Sequence, residues 1–459
     1  MSDLYPYQTR AAQKLIRLDG RGGLFLDMGT GKTRTALAIA WHLRCRRLLI
    51  VVPLSAVGVW QAEAALFWPK LRVCDATVGT IAKRAACVQE GECHAYLVGY
   101  ETFWREPLRS AILKWHPHMV IYDEAHRLKG RSSKQSRFAG RLVEIVPRRL
   151  ALTGTPMPNG PEDLYGLYRA IDPAIFGSRW ADFERQYLIK GGYLNYQTVG
   201  YRNVHEIKQK LRATSARVTK ANALDLPPQV DVTVPVTLDR ATRELYDEMR
   251  KKAIAEVEGY AGGKTVAGIT LARSVLTNIL RLQTITGGWT KLASGEIVDL
   301  SYEKQKLLLD LLSDAVPQVG RVVIFCRFRH DIDRLTEALM GKEYTFVLDG
   351  RTPPAARAEL LDKFRAVKYG YLIAQVAVAS LSIDLTCSHL GVFYSSDYSF
   401  ANYEQCRNRL HRHGQEQKVT YHSLVATDTV DERIYKALQD KAELSKSILD
   451  VDSARELFG

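Results

Sequence analysis

The sequence predicts an α/β protein with two parallel-sheet lobes and a helical insertion between them. Three observations carry this. Short apolar, β-branched runs alternate with helical segments over residues 1–160, the pattern of a doubly wound parallel sheet. The alternation lapses over 161–295, where helical segments dominate. It resumes over 296–459 with further short runs. The expected domains are therefore 1–160, 161–295 and 296–459, and 459 residues suffice for two or three full cores.

Composition narrows the partner. Lysine and arginine number 64 against 50 acids, a formal charge of +14. That favours a polyanion, nucleic acid ahead of an anionic membrane. No apolar run approaches the roughly 18 residues of a membrane span, and no secretory pattern opens the chain. Seven cysteines, an odd number without regular spacing, suit a reducing cytosol, so a cytoplasmic location is expected. Cys87, Cys93, His94, His116 and His118 lie close in sequence. Their spacing fits no common ligand pattern, and no structural zinc is expected.

The opening Leu4-Tyr5-Pro6-Tyr7-Gln8 precedes a helical segment over 9–18. Upstream of a phosphate loop, Gln8 can read adenine, because its amide offers a donor and an acceptor. The alternative is a polar residue at a helix start. Next, an apolar run ends in Gly29-Thr30-Gly31-Lys32-Thr33, and Ala36, Leu37, Ala40 and Leu43 follow at helical spacing. In this strand–loop–helix context, backbone N–H groups from Gly29 to Gly31 close around a polyphosphate and the helix N-terminus adds its positive end. Lys32 would neutralise the β and γ phosphates, and the Thr33 hydroxyl would hold Mg²⁺. Leu26 stands where the usual pattern has its first glycine.

Runs at 48–52 and 95–98 predict buried strands ending in Pro53-Leu54-Ser55 and Gly99-Tyr100-Glu101-Thr102. Both ends can present hydroxyl and backbone groups to a nucleic-acid backbone, or simply turn the chain into the next helix. The run at 118–122 delivers Asp123-Glu124-Ala125-His126. Beside a phosphate loop, Asp123 can hold the Mg²⁺ shell, and Glu124 can orient and deprotonate an attacking water. A fourth run, 150–152, ends in Thr153-Gly154-Thr155-Pro156, whose hydroxyls can relay the state of the γ-phosphate. In 161–295, helices are expected at 162–171, 181–188, 241–258 and 270–286, with turns at Pro227-Pro228 and Gly262-Gly263. Beyond 296, strands are expected at 321–326, 345–348, 371–374, 390–394 and 420–424, and Thr429 with Glu432 signals the start of the last helix. This half has no phosphate loop of its own. Gln405, Arg409 and Arg412, expected on one helical face, are the groups that would complete a nucleotide held by the first half.

In this order the pieces resemble the superfamily 2 helicases, and within them the Swi/Snf-like DNA translocases, over nearly the whole length. Leu26 to Thr33 looks like motif I of that family, Pro53-Leu54-Ser55 like motif Ia, Asp123 to Lys129 like motif II, Leu152 to Asn159 like motif III, and Gln405 to Gln415 like motif VI. The resemblance implies two RecA-like lobes with a helical protrusion, ATP and Mg²⁺ as cofactors, DNA as partner, and DNA-dependent ATP hydrolysis driving movement along DNA. It implies catalytic roles for Lys32, Asp123, Glu124, Arg409 and Arg412. Nucleotide contacts would come from Gln8, Gly29, Thr30, Gly31, Lys32, Thr33 and Gln405, and Mg²⁺ contacts from Thr33 and Asp123. Candidates for nucleic-acid contact are Ser55, Tyr100, Thr153, Arg327 and Ser382. Two departures stand out: serines replace the usual glycines in the motif V stretch 377–385, and His413 replaces an apolar residue in motif VI. The length resembles compact phage or bacterial members. An RNA helicase and a non-catalytic nucleic-acid-binding scaffold are the rival readings.

Overall fold

Runs of Val, Ile and Leu that are apolar at every position are suited to burial on both faces, and they build two parallel sheets. The structure is a computed structural model that describes residues 4–191, 197–223, 225–261, 267–292, 294–341, 344–379 and 383–449. Two units are distinguished, one comprising 1–225 with 441–459, the other 226–440.

The strands of the first unit are β1 (Arg21–Leu26), β2 (Leu48–Val52), β3 (Val73–Asp75), β4 (Ala95–Gly99), β5 (Met119–Asp123), β6 (Arg148–Leu152), the hairpin β7 (Leu188–Gly191) and β8 (Gln197–Tyr201), and β9 (Ser215–Val218). All but the hairpin form one sheet in the order β3-β4-β2-β5-β6-β1-β9. Every pairing in it is parallel. Alternate residues of each strand serve opposite cores. Leu24, Leu26, Leu48, Ile50 and Val52 pack in one; Phe25, Leu49, Val51, Val98 and Val120 pack in the other. Leu444 and Ile448, near the end of the last helix Val430–Leu449, join the second of these cores. A disulfide joins Cys74 to Cys93, a pair that cysteine spacing does not foretell.

The second unit contains β10 (Gln229–Val236), the hairpin β11 (Trp289–Lys291) and β12 (Ile297–Asp299), β13 (Arg321–Cys326), β14 (Tyr344–Leu348), β15 (Gly370–Gln375), β16 (Leu390–Phe393) and β17 (Val419–Ala426). Its sheet runs β10-β17-β16-β13-β15-β14, again parallel throughout. A buried ion pair locks the start of the last helix: Lys304 Nζ lies 2.8 Å from Asp431 Oδ2. Asp431 Oδ1 also accepts from the Thr286 hydroxyl, and the Thr429 hydroxyl caps the helix by accepting from Asp431 N–H.

The nine longer strands expected from sequence appear within two residues of their predicted ends. The segment 161–295 differs. Its helices Asp163–Ile171, Trp180–Tyr187, Arg240–Ala261 and Ala267–Thr286 are present. However, β9 within it joins the first sheet beside β1, and β10 joins the second beside β17. Gly262 and Gly263 lie outside the described residues. Among the described residues, no helix is long and apolar enough to cross a membrane.

Candidate functional site

The site begins where β1 ends. Pairing with β9 continues through Leu26, so the strand geometry occupies the position of the missing glycine and the loop proper starts at Asp27. Gly29 and Gly31 have φ of 83° and 80°, left-handed backbone that favours glycine. At Gly31 even space is lacking: a Cβ there would lie 2.1 Å from Gln8 Nε2. Gln8 is buried and uses both ends of its amide locally. Its Nε2 donates to Thr30 O at 3.0 Å, and its Oε1 accepts from Tyr5 N–H. The Thr30 hydroxyl donates to Asp27 O. Helix Lys32–His42 starts directly after Gly31, which places Lys32 and Thr33 in its first turn. Lys32 Nζ folds back to donate to Leu26 O and Asp27 O at 3.0 and 3.2 Å. Burial lowers its ammonium pKa, opposed by the carboxylates of Glu124, Asp123 and Asp27.

Asp27 anchors the loop to β9. Its Oδ1 accepts from Arg217 Nη1 at 2.7 Å and its Oδ2 from Lys220 N–H at 3.0 Å. Neither Asp27 nor Arg217 stands out in the sequence; only an acid beside the loop and an arginine in a short apolar run could have signalled them.

The second half of this site sits at the end of β5. In the sheet, β6 separates β5 from β1, so Asp123, Thr153 and the phosphate loop occupy neighbouring strand ends, the usual ligand edge of a parallel sheet. Asp123 Oδ2 accepts from Trp60 Nε1 at 2.9 Å, and Oδ1 accepts from Glu124 N–H. Burial, then the Glu124 charge, raise the Asp123 pKa to about 6, with the Trp60 donor and Lys32 opposing. Glu124 has φ 48°, an unusual backbone for a non-glycine residue and one that recurs at functional sites. His126 Nδ1 lies 3.3 Å from Glu124 Oε2 and 3.3 Å from the Thr153 hydroxyl. A chain of contacts thus runs from the acids to the turn after β6.

In the second unit, helix Phe400–Leu410 carries Gln405 and Arg409 one turn apart. Arg409 is buried, with Nη1 3.5 Å from Ile383 O. Arg412 does not continue that face, contrary to expectation. The helix stops at Leu410, and His411 leaves helical geometry at φ −96°, ψ 85° while its Nε2 donates to Pro227 O. Arg412 therefore lies in a turn, with Nη1 4.0 Å from Asp384 Oδ2. Gln415 holds that turn, its Nε2 lying 3.0–3.2 Å from the carbonyls of Ser388, Leu410 and Thr386.

With this geometry in place, the comparisons with known proteins are specific. Residues 7–287 match the SNF2-related domain and 303–414 the helicase conserved C-terminal domain. The chain belongs to the SNF2-related family. One relative, human SWI/SNF-related matrix-associated actin-dependent regulator of chromatin subfamily A member 1, is 28% identical over 97% of this chain and 44% of its own length. The bovine DNA annealing helicase and endonuclease ZRANB3 is 26% identical over 97% of this chain and 40% of its own. An uncharacterized ATP-dependent helicase of Mycoplasma pneumoniae is 26% identical over 98% and 42%. The chain thus spans less than half the length of these relatives. Among solved structures, the Sulfolobus solfataricus SWI2/SNF2 ATPase core in complex with dsDNA aligns with 99% of this chain and 96% of that one, at 22% identity and a TM-score of 0.45.

In this SNF2-related chain the expected nucleic-acid contacts separate into two groups. Ser55 is exposed after β2. Arg327 follows β13, its N–H donating to the Ser395 hydroxyl and its guanidinium to Gln283 Oε1. Tyr100 and Thr153 are both buried. The Tyr100 hydroxyl donates to Asp123 O at 2.7 Å, and the Thr153 hydroxyl accepts from Thr155 N–H. An apolar ring and a short hydroxyl at strand ends are read more cheaply by the protein's own backbone than by solvent, so both side chains support the acid turn. Ser382 lies outside the described residues.

Proposed function

We propose that this chain is a DNA-dependent ATPase that couples ATP hydrolysis to movement along DNA, as helicase or translocase, in replication, recombination or repair within the cytosol. One observation carries the reading: a glycine-shaped phosphate loop capped by Lys32 stands beside a strand end where Asp123 is raised and Glu124 is held in left-handed backbone. The N–H groups of Gly29 to Gly31 and the Lys32 ammonium bind the phosphates once Lys32 leaves its two carbonyls. A divalent cation fits here because Asp123 carries charge that burial and Glu124 disfavour. Thr33 and Asp123 hold it, and when bound it supplies Lewis-acid stabilisation of phosphoryl oxygens. Glu124 orients the attacking water and takes its proton, with His126 fixing the carboxylate. Arg409 and Arg412 add positive charge to the transferring phosphoryl group, and Gln405 positions them. Ser55, Arg327 and Ser382 are proposed to contact the DNA backbone, with little base specificity. The formal charge of +14 and the helicase relatives support DNA as partner.

Equilibrium binding of a fluorescent ATP analogue with Mg²⁺ tests the site. Lys32→Ala is expected to weaken binding about tenfold or more, while Glu124→Gln stays within about threefold of the parent. Unchanged binding by Lys32→Ala would remove the phosphate-loop assignment.

A further inference from the structure

In the first unit, the turn after β4 and the turn after β5 are tied together twice. β2 separates the two strands in the sheet, yet Tyr100, directly after β4, reaches the acid turn. Its hydroxyl donates to Asp123 O at 2.7 Å in a buried contact. That carbonyl belongs to the peptide joining Asp123 to Glu124, and Glu124 leaves it with φ 48°. The orientation of this one peptide therefore sets where both carboxylates point. The second tie lies at the surface. Arg127, in the turn Ala125–Leu128 that follows the acids, holds its guanidinium carbon 5.8 Å from the centre of the Tyr100 ring. Its Nη1 lies 3.2 Å from Oε1 of Glu101, the residue next to Tyr100.

The two ties differ in strength. The hydroxyl–carbonyl contact is buried, and losing it leaves a carbonyl without its donor. The ion pair is open to water, with 64% of the Glu101 side chain exposed, and such pairs hold weakly. A phosphate offers arginine two charge-assisted bonds in matching fork geometry, so it can take Arg127 from Glu101. The surroundings favour its arrival. Arg105 and Lys134 rest on the Trp104 ring at 5.1 and 5.0 Å, and Arg131 rests on the Trp180 ring at 4.3 Å. These three cations are exposed. Cations spaced along a surface and held on aromatic rings suit a row of phosphates better than a single compact anion.

Given the DNA-dependent ATPase reading, on which this rests, we propose that a nucleic-acid backbone phosphate takes Arg127 from Glu101, and that Tyr100 carries this exchange to the Asp123–Glu124 peptide. Tyr100 is then a positioning residue for the two acids. The guanidinium has two discrete arrangements, on Glu101 or on phosphate, as a coupling element requires. Moving between them shifts it against the Tyr100 ring, whose hydroxyl is fixed to Asp123 O.

The experiment follows ATP hydrolysis by the full chain against duplex DNA concentration, with ATP and Mg²⁺ saturating. Arg127→Ala is expected to raise the DNA concentration for half-maximal stimulation about fivefold or more. Glu101→Gln removes the competitor and is expected to lower it about threefold. On an Arg127→Ala background the Glu101→Gln change is expected to have no effect, because the two residues act as one pair. Glu144→Gln, at an exposed acid elsewhere on this unit, is expected to shift it by less than about 1.5-fold. Tyr100→Phe keeps the ring and loses the hydroxyl. It is expected to leave half-maximal DNA and the KM for ATP within about twofold of the parent, while the ratio of DNA-stimulated to basal turnover falls about tenfold. A merely structural loss would lower both turnovers together and leave that ratio unchanged. A parental ratio in Tyr100→Phe, or a Glu101→Gln effect that persists without Arg127, would overturn the proposal while DNA stimulation itself stands. A parent chain that no DNA stimulates would overturn the DNA-dependent reading, and the proposal with it.

Discussion

Asp123 shows how the site stores charge for its ligand. Its folded pKa lies above its ordinary value, so its ionised form costs stability. The cost is absent below the unfolded value near 3.8, grows as pH rises from there, and is complete above about 6. Asp123→Asn is therefore expected to raise the melting temperature of the ligand-free protein by a few degrees, about 2–4 °C per kcal/mol relieved, above pH 6. The gain should fade as pH drops through that range, and turnover should be lost throughout. A melting temperature unchanged at pH 7.5 would show that the carboxylate is not destabilised. Trp60→Phe removes the donor to Asp123 Oδ2. It is expected to raise the Mg²⁺ concentration for half-maximal ATP hydrolysis several-fold while leaving the fold intact; an unchanged Mg²⁺ dependence would leave Trp60 a packing residue. The loop and the two acids were legible because glycine, lysine and adjacent carboxylates after an apolar run leave few other uses for that spacing. Trp60 and Arg217 were not, because their roles depend on which strand ends the sheet brings together.

Element by element, the second unit ties its parts by a few buried charges. Lys304→Met leaves the Asp431 carboxylate buried without its cation. Unfolding by denaturant is expected to show a loss of about 3–5 kcal/mol, and a loss under about 1 kcal/mol would mean that Thr286 and the helix start satisfy Asp431 alone. The turn after helix Phe400–Leu410 carries a functional expectation. Arg412→Ala should lower kcat of ATP hydrolysis about 100-fold with little change in nucleotide affinity; loss of affinity alone would place Arg412 at ground-state binding. Strands such as 48–52 and 321–326 were readable because apolar residues fill every position of the first and all but Arg321 of the second. The short β3 and β9 were hidden, since Val73-Cys74-Asp75 and Ser215-Ala216-Arg217-Val218 have no such run. β10 alternates polar and apolar residues and gains its place only by pairing with β17. Helix ends were equally elusive: His411 ends its helix through a contact to Pro227, remote in sequence.

For the whole molecule, membership of the SNF2-related family and the formal charge of +14 set the expectation of a backbone-tracking enzyme. DNA affinity should fall roughly tenfold or more between about 50 and 200 mM salt, because each phosphate contact adds to the slope; a flat dependence would count against a phosphate-lined path. The two-lobe plan was legible from the break and return of strand–helix alternation, whereas the sharing of 161–295 between two sheets depends on long-range pairing that no local pattern encodes. The proposal that DNA drives the ATPase has a direct test. Steady-state ATP hydrolysis should be measured without nucleic acid and with single-stranded DNA, duplex DNA, a four-way junction and RNA at equal nucleotide concentration. Low basal turnover is expected, with strong stimulation by DNA, duplex or junction above single strands. Stimulation by RNA alone, or turnover indifferent to every nucleic acid, would contradict it.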